Sequence, residues 1–379
     1  MILANVDDYR RAARRRLPHF LFEYIDGGSY SETTLRRNLG DLQALSLRQS
    51  VLRDVSNLSL KTDLFGFEAA LPIALAPLGL CGLFARRGET QAARAAQKAG
   101  VPFTLSTVGI CSCEEVGAAA SPFWLQLYLM RDRGFLRAML ARAKTAGASA
   151  LLLTVDLPVT GKRYRDMRSG LRAGDPTANK LRRFFQVMMR PAWAVDVGLL
   201  GRPHVLGNLA PHVNSAARLE NYAAWVAANF DPSVTWKDVE DIRALWDRPL
   251  IVKGVLTPED ARAAIAVGAD GVVVSNHGGR QLDGARSSIS ALPRIADAIG
   301  ERAVVMMDGG VRTGLDVLRA LASGARGVLI GRAFAYGLAA RGARGVGEVL
   351  SILEQEMRVA MMLTGCVSLK EVGRHILDA

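Results

Sequence analysis

A histidine and two arginines are the residues of this sequence whose types and spacing best suit catalysis. His277 lies in the string Ser-Asn-His-Gly-Gly-Arg, so an imidazole stands three residues before the guanidinium of Arg280. Imidazole is a general base near physiological pH, and a guanidinium binds planar anions through paired hydrogen bonds. Earlier in the chain, Asp156 and Arg163 follow an apolar run. Asp156 is suited to orient a histidine and Arg163 to bind an anion, so the set predicts proton transfer on an anionic substrate.

Two later clusters combine glycine with arginine. They are Asp308-Gly-Gly-Val-Arg312 and Gly331-Arg332, and each follows a short apolar run. Backbone N–H groups at such turns, together with arginine side chains, form phosphate sites in many proteins. Ordinary turn glycines beside surface arginines are the structural alternative. We interpret the two clusters as a phosphate-binding region.

The apolar runs that precede these residues recur along the whole chain. Their hydrophobicity is continuous rather than alternating, which is typical of strands buried on both faces, as in parallel sheets. Ala-rich amphipathic segments between the runs predict helices over residues 89–99, 134–146, 258–266 and 314–322. The predicted strands cover residues 72–76, 102–105, 124–128, 151–155, 250–252, 272–274, 304–307 and 327–330.

Eight strands that alternate with helices predict an α/β fold of the (β/α)8 TIM barrel type. The alternative is a doubly wound sheet, which usually has a Gly-rich phosphate turn after its first strand, whereas Pro77-Leu78-Gly79 follows that strand here. We expect one domain over residues 1–379, with a mostly helical N-terminal lead-in over 1–65 and an insertion after strand four over 171–211. Active sites of such barrels lie at the carboxyl ends of the strands, where all the residues above fall.

Composition narrows the classes of partner. The 379 residues include 48 basic and 36 acidic ones, and the net charge of +12 favours nucleic acid, an anionic membrane surface or an acidic small substrate. Only 6% of residues are aromatic and no nucleic-acid-binding motif is present, so we expect no nucleic-acid partner. The spacing of Cys111 and Cys113 fits no zinc motif, so we expect no metal and reduced thiols. The N-terminus lacks the apolar stretch of a signal peptide, and no run suits a spanning helix, which predicts a cytoplasmic protein.

Through the strings around Asp156, His277, Asp308 and Gly331, and others given below, the sequence resembles the FMN-dependent 2-hydroxy acid oxidase/dehydrogenase family over essentially the whole chain. Within the family it is most similar to the bacterial membrane-associated L-lactate dehydrogenases, through strings that begin at Arg202, Phe230 and Met357. The matching family strings are Tyr24-Ile-Asp-Gly-Gly, Ala76-Pro77, Leu105-Ser106, Gln126-Leu-Tyr128, Thr154-Val-Asp156, Lys253-Gly, the string around His277, and the clusters that begin at Asp308 and Gly331.

The resemblance implies FMN as cofactor and the oxidation of an L-2-hydroxy acid, L-lactate to pyruvate, with a quinone as electron acceptor. The alternatives are an L-mandelate dehydrogenase or another 2-hydroxy acid oxidase that uses O2. The resemblance also implies a homo-oligomer, a tetramer.

The resemblance further implies a role for each matching residue. His277 is the general base and Asp156 stabilises its imidazolium. The substrate-binding residues are Tyr24, Tyr128, Arg163 and Arg280. The FMN-binding residues are Ala76, Pro77, Leu78, Gly79, Ser106, Gln126, Thr154, Lys253 and Ser275 around the isoalloxazine, Asp308 at the ribityl chain, and Gly310, Arg312, Gly331 and Arg332 at the phosphate.

Two positions bear on the subtype within the family. Oxidases typically have Ala where this chain has Gly79, and dehydrogenases that use quinones or cytochromes often have Gly. Members that oxidise glycolate tend to have a bulky aromatic residue where this chain has Val108. The pair therefore predicts a quinone rather than O2 as acceptor and a substrate larger than glycolate, without separating lactate from mandelate.

The insertion over residues 171–211 has the composition of a membrane-surface segment. Between residues 161 and 190 there are nine basic and two acidic residues, interspersed with Phe and Met. Basic residues meet anionic lipids, while apolar side chains such as Phe184, Phe185 and Trp193 enter the headgroup region. A lid over the active site or a subunit contact is the alternative. We expect a peripheral protein on the cytoplasmic side of the inner membrane.

Overall fold

The computed structural model describes residues 2–172, 175–213, 225–226 and 228–378, and a parallel eight-stranded sheet forms its centre. The strand order is β1-β8-β7-β6-β5-β4-β3-β2. Its two ends meet where the Leu75 N–H donates to the Pro102 carbonyl at 2.8 Å, beside a parallel bridge between Leu75 and Phe103. The strands are β1 (Ile73–Leu75), β2 (Thr104–Leu105), β3 (Phe123–Tyr128), β4 (Ala148–Thr154), β5 (Leu250–Val255), β6 (Gly271–Val274), β7 (Val304–Asp308) and β8 (Gly327–Ile330).

This closed sheet confirms the predicted (β/α)8 barrel, and each predicted strand overlaps an observed one. The predicted helices are also present. The helices are α1 (Val6–Arg16), α2 (His19–Asp26), α3 (Thr33–Ala44), α4 (Gly88–Lys98), α5 (Cys113–Ala119), α6 (Arg133–Thr145), α7 (Tyr164–Arg168), α8 (Pro176–Met188), α9 (Pro191–Trp193), α10 (Trp236–Leu245), α11 (Pro258–Ala266), α12 (Ser288–Ile299), α13 (Gly314–Ala322) and α14 (Arg332–Thr364).

Side chains on the inner faces of the strands fill the barrel, and a hairpin closes its amino end. Strands Thr62–Leu64 and Phe67–Ala69 form the hairpin, and the Phe65 ring at its turn lies edge-on to Trp124 with centroids 5.7 Å apart. The lead-in over residues 1–65 is helical only as far as Ala44, because Ser46–Leu47 then pairs with Leu377–Asp378 and the hairpin begins at Thr62. The buried interior consists of Ala74, Ala76, Trp124, Ala150, Leu152, Ile251, Val273, Met306 and Leu329, with Leu64 and Ala69 of the hairpin.

A buried carboxylate fastens the N-terminal helices to the carboxyl end of the barrel. Asp26, at the end of α2, is 5% exposed and accepts two hydrogen bonds from Arg10, at 2.6 and 2.9 Å. It also accepts from Arg165 of α7 at 2.8 Å and from the Tyr336 hydroxyl of α14 at 2.7 Å. Burial opposes ionisation, but the hydrogen bonds from Arg10 and Tyr336 outweigh it and hold the pKa of Asp26 well below its usual value. Removing one partner from such a buried pair typically costs about 3–5 kcal/mol.

The insertion after β4 contains α8, α9 and a π-helical turn over Ala194–Leu199. Residues 173 and 174 of the expected range 171–211 lie outside the described residues. The Gln186 side chain accepts from the Phe20 N–H at 2.8 Å and donates to the Ser169 carbonyl at 3.0 Å, so one face of α8 is held against α2. All residues of α8 are described, and none of them is buried.

The remaining predictions about the fold concern metals and membrane spans. All four cysteines are buried and free, as expected for reduced thiols. Among the described residues, no cluster of His, Cys, Asp or Glu has the composition of a metal site. Nor does any helix in the described ranges have the length and hydrophobicity needed to cross a bilayer.

Candidate active site

His277 follows β6 and has an unusual backbone conformation. Its φ of +58° is in the left-handed region, which is costly for a residue with a side chain and common at functional sites. The Ser275 hydroxyl holds it there by accepting from the His277 N–H at 3.0 Å. The next residues, Gly278 and Gly279, have φ of +64° and +73°, so two glycines continue the turn without further strain. The turn places the imidazole at the mouth of the barrel.

The imidazole of His277 is hydrogen-bonded to Asp156, which follows β4. Nδ1 lies 3.0 Å from Oδ1 and 3.2 Å from Oδ2 of that carboxylate. Because a carboxylate only accepts, Nδ1 carries the proton and Nε2 is left as the basic nitrogen. Burial opposes ionisation of Asp156, but the charge and hydrogen bond of His277 and the charge of Lys253 lower its pKa below the usual value. The sequence predicted these two residues as a base and its orienting carboxylate, and their hydrogen bond is the geometry that such roles would need.

Two arginines converge near Tyr24. The Arg280 Cζ lies 5.0 Å and the Arg163 Cζ 5.6 Å from the centre of the Tyr24 ring. Arg280 Nη1 donates to the carbonyls of Tyr24 and Gly27, at 2.8 and 2.7 Å, which fixes one edge of its guanidinium. Burial, and then the charge of Arg163, lower the pKa of Arg280 to about 9. Nε and Nη1 of Arg163 are buried and have no hydrogen-bond partner in the part of the chain that the structure describes, so the pair can receive an anion.

Tyr128, at the end of β3, belongs to the same group of side chains. Burial raises its pKa, followed by the negative charge of Asp156. Its phenol therefore stays protonated at neutral pH and is a hydrogen-bond donor. The ring packs edge-on against Phe230, with centroids 5.7 Å apart, and an antiparallel bridge joins Phe230 to Met130. The chain that returns from the insertion thus supports a wall of the site.

The expected isoalloxazine-binding residues present buried polar atoms without partners. Gln126 Nε2, Thr154 Oγ1 and Asp308 Oδ1 are buried on three strands and have no hydrogen-bond partner among the described residues. Buried polar groups are normally satisfied, so these three atoms fit the polar edge of a bound cofactor. Beside them, Lys253 Nζ lies 3.0 Å from Asp308 Oδ2 and 3.0 Å from Ser275 Oγ. Burial disfavours the charged form of Lys253, but Asp308 and Asp156 outweigh it and raise its pKa. Donors, acceptors and a cation that suit FMN are therefore present.

The loops after β1 and β2 lie side by side at this end. The Leu80 N–H donates to the Val108 carbonyl at 3.1 Å, and the Ser106 hydroxyl donates to Gln126 Oε1 at 3.2 Å. A Cβ added to Gly79 would stand 2.7 Å from Val108 Cγ2, which is closer than real contacts allow. The two positions that bear on subtype are thus neighbours in space. The other expected residues of this loop are Ala76, which is buried, and Pro77 and Leu78, which are partly exposed.

The expected phosphate region lies at the ends of β7 and β8. Gly310 has a φ of +90°, and a Cβ there would stand 2.1 Å from the Asn38 carbonyl, so glycine is required. Gly331 precedes α14, whose first-turn N–H groups have no acceptor within the helix. The Arg312 side chain is partly exposed, and its Cζ lies 5.8 Å from the centre of the Tyr336 ring. These groups together suit a phosphate.

The Arg332 side chain is held by backbone carbonyls beside the expected phosphate region. Its guanidinium donates to the carbonyls of Ile25, Gly278 and Gly27, at 3.0, 2.9 and 2.8 Å. Three of its five N–H donors therefore join the end of α2 to the loop after β6. The other two donors and the backbone N–H of Arg332 are left for a phosphate, so its expected role there stays a prediction.

Sequence reasoning did not identify the contact that fixes the loop of His277 from the N-terminal side. Asn38 of α3 and Asn276 exchange two hydrogen bonds between their amide groups, each 2.8 Å long. The Asn276 Nδ2 also donates to the Arg286 carbonyl at 2.9 Å. Asn276 lies within the string that marked the site, but the sequence offers no signal that pairs it with Asn38.

Known proteins are similar to this chain over nearly its whole length. The family model described as FMN-dependent dehydrogenase matches residues 13–379. An L-lactate dehydrogenase of Caulobacter strain K31 is 60% identical over 378 residues, covering 100% of this chain and 99% of the relative. An L-lactate dehydrogenase of Azorhizobium caulinodans is 58% identical over 380 residues, covering 100% and 99%.

Solved structures give the same result for the fold. The crystal structure of the monotopic membrane protein (S)-mandelate dehydrogenase superposes with a TM-score of 0.93 at 36% identity, covering 100% of both chains. Mandelate oxidase in complex with (S)-4-hydroxymandelic acid superposes with a TM-score of 0.86 at 38% identity, covering 99% of this chain and 98% of the other. With a family match over nearly its whole length and relatives of this identity, the chain belongs to the FMN-dependent dehydrogenase family.

Proposed function

We propose that this enzyme oxidises L-lactate to pyruvate with FMN as cofactor and passes the electrons to a quinone. The observation that carries the proposal is the meeting of the His277–Asp156 pair with the guanidinium groups of Arg163 and Arg280 at one end of the barrel. A 2-hydroxy acid has a carboxylate for the arginines and a hydroxyl-bearing carbon for the base. We propose lactate rather than mandelate as the substrate because the lactate dehydrogenases share 58–60% of their residues with this chain, against 36–38% for the mandelate enzymes.

Each residue of the site has a separate role in substrate binding or proton transfer. Arg163 and Arg280 bind the substrate carboxylate, and the phenols of Tyr24 and Tyr128 donate hydrogen bonds to its oxygens. Nε2 of His277 accepts a proton from the substrate. The Asp156 carboxylate stabilises the imidazolium that results, as carboxylates do in other histidine-dependent sites. FMN, when bound, would accept the two electrons together with the second hydrogen that leaves the substrate.

The cofactor would be held by polar groups at the carboxyl ends of the strands. Gln126, Thr154 and Ser106 would bind the isoalloxazine edge, with the backbone of residues 76–79 along one side. Lys253, whose ammonium lies between Asp308 and Ser275, supplies positive charge beside them. Arg312, Gly310 and the N–H groups of Gly331 and Arg332 would bind the phosphate. The tetramer implied by the resemblance stays a prediction.

Replacing His277 by Asn tests the proposed base. The His277→Asn variant should retain FMN, because the expected cofactor contacts come from other residues. Its flavin reduction by L-lactate should be slower by about 10²–10⁴-fold, the usual loss when a general base is removed. Stopped-flow absorbance without O2 measures this rate. His375→Asn, on an exposed C-terminal turn, is the matched control and should reduce at the wild-type rate. Wild-type reduction in His277→Asn would exclude the role.

The contact between Gly79 and Val108 leads to a test of acceptor choice. Wild-type reduced enzyme should react slowly with O2 and quickly with a soluble quinone analogue. Gly79→Ala should lower the ratio of the quinone rate to the O2 rate. The new methyl group occupies space at the flavin site and must displace Val108 Cγ2, which would otherwise lie 2.7 Å from it. Reoxidation rates with the two acceptors measure it.

The double variant Gly79→Ala/Val108→Ala separates the two effects of the new methyl group. If space near the flavin decides the acceptor, the ratio of the quinone rate to the O2 rate should stay as low as in Gly79→Ala. If displacement of Val108 decides it, the ratio should return to the wild-type value. Val108→Ala alone is the control. Rapid peroxide formation by the wild type would show that the enzyme is an oxidase.

We also propose that the insertion docks the enzyme on the cytoplasmic side of the inner membrane, near the quinone pool. Phe184, Phe185 and Met188 of α8 are 56–60% exposed, and Met189 is 70% exposed. Each basic residue near anionic lipid contributes about 1 kcal/mol. Trp193 takes no part, contrary to expectation, because it is 6% exposed and its indole N–H donates to the Leu83 carbonyl at 2.8 Å. The monotopic mandelate dehydrogenase of the same fold supports the proposal.

A triple replacement tests this docking. Phe184→Ser/Phe185→Ser/Met188→Ser should abolish sedimentation with phosphatidylglycerol vesicles at low salt, since it removes the apolar anchors. Flavin reduction by L-lactate should persist, because none of these side chains is buried in the fold. Leu282→Ser, at an apolar residue 73% exposed elsewhere, is the control and should still sediment. Failure of the wild type to bind the vesicles would contradict the proposal.

A further inference from the structure

A buried carboxylate that the mechanism above does not use lies beside Arg163. The Asp166 side chain is 1% exposed, and its Oδ2 lies 3.5 Å from Arg163 Nη1. Neither carboxylate oxygen accepts a hydrogen bond from any described residue. A buried carboxylate without hydrogen bonds is unfavourable, and it persists only where its charge is offset by a nearby cation. Arg163 and Arg172 both lie within 4 Å of it, and Arg163 is the less exposed of these two.

The backbone holds Asp166 in this place independently of Arg163. Its carbonyl accepts from the N–H groups of Leu171 and Arg172, at 2.9 and 3.1 Å, which closes the end of α7. The adjacent Arg165 side chain is anchored on Asp26 at 2.8 Å and on Glu32 at 2.6 Å. α7 is therefore fixed to the N-terminal helices, and Asp166 is a fixed charge relative to the barrel. Arg163 directly precedes α7, and its guanidinium extends along the first turn toward this carboxylate, three residues later in the chain.

We propose that Asp166 is a positioning residue that holds the Arg163 guanidinium in the orientation needed to bind the substrate carboxylate. The inference rests on the proposed function, in which Arg163 binds that carboxylate. Asp166 has two effects. It restrains one end of a side chain whose Nε and Nη1 form no hydrogen bond with any described residue, and it offsets one of two cations that repel each other beside Tyr24.

Loss of the Asp166 charge should act differently on substrate binding and on the chemical step, and this difference distinguishes the proposal from a structural role. Removing the negative charge leaves more uncompensated positive charge at the anion site, so a substrate anion is attracted at least as strongly. The loosened guanidinium orients the substrate less well, so the chemical step slows. Asp166 should therefore affect the rate of flavin reduction without weakening the affinity for L-lactate. A residue with only a structural role would instead lower FMN content or weaken both.

The test is a double-mutant cycle of Asp166→Asn and Arg163→Gln, read by stopped-flow flavin reduction over a range of L-lactate concentrations. Asp166→Asn in the wild type should lower the limiting rate by about tenfold or more, while the dissociation constant stays within about threefold or falls. In the Arg163→Gln background the same change should alter the limiting rate by less than about twofold, because Asp166 acts through the guanidinium that this variant lacks. Additive losses in the cycle would overturn the proposal.

A control and a stability measurement complete the test. Arg172→Gln removes the other cation near Asp166, whose Nε is 3.9 Å away on a side chain 49% exposed, and should change neither constant. If Asp166→Asn does not retain FMN, thermal unfolding of the double variant decides. A stable double beside an unstable single supports the pairing, and an unstable double contradicts it. If wild-type flavin is not reduced by L-lactate, the proposed function fails, which is a different result.

Discussion

Buried positive charge at the mouth of the barrel is the constraint on which the rest of this site depends. Arg163, Arg280 and Arg332 lie in one region, and burial lowers the pKa of Arg280 to about 9 and of Arg332 to about 10. Such cations need fixed negative partners, and the carbonyls of Tyr24, Ile25 and Gly27 supply them. These carbonyls end α2, where the helix dipole is negative. The N-terminal helices are therefore part of the active site, although they precede the barrel in the chain.

Polar and charged side chains are paired between the ends of alternate strands in the same region. Asp156 after β4 faces His277 after β6, and Lys253 of β5 lies 3.0 Å from Asp308 of β7. Each pair joins strands that are two positions apart in the barrel, so its geometry follows from the register of the sheet. Pairing keeps Lys253 charged and Asp156 ionised in a buried setting. Because Asp156 and Asp308 are used on His277 and Lys253, neither of these carboxylates competes with an anionic substrate for Arg163 and Arg280.

Much of this could be read from the sequence, for reasons that are local. Strands buried on both faces are continuous apolar runs, and in a barrel their carboxyl ends meet, so His277, Asp156 and Arg280 could be placed together. The use of particular carbonyls and side chains could not be read. Arg332 was expected at a phosphate, but its hydrogen bonds to three carbonyls were not, because backbone groups that approach from α2 leave no pattern in the sequence. Trp193 and Asp166 were hidden similarly: composition suggested a membrane anchor for the first and nothing for the second.

The central claim is that a fixed carboxylate clamp and a base on one side of the α-carbon make this flavoenzyme selective for L-2-hydroxy acids. Anaerobic titration of the purified yellow protein with L-lactate and with D-lactate, followed by flavin absorbance, tests it most directly. The account predicts that L-lactate bleaches the flavin and that D-lactate leaves it oxidised over the same time. Equal bleaching by the two enantiomers, or bleaching by NADH alone, would contradict it.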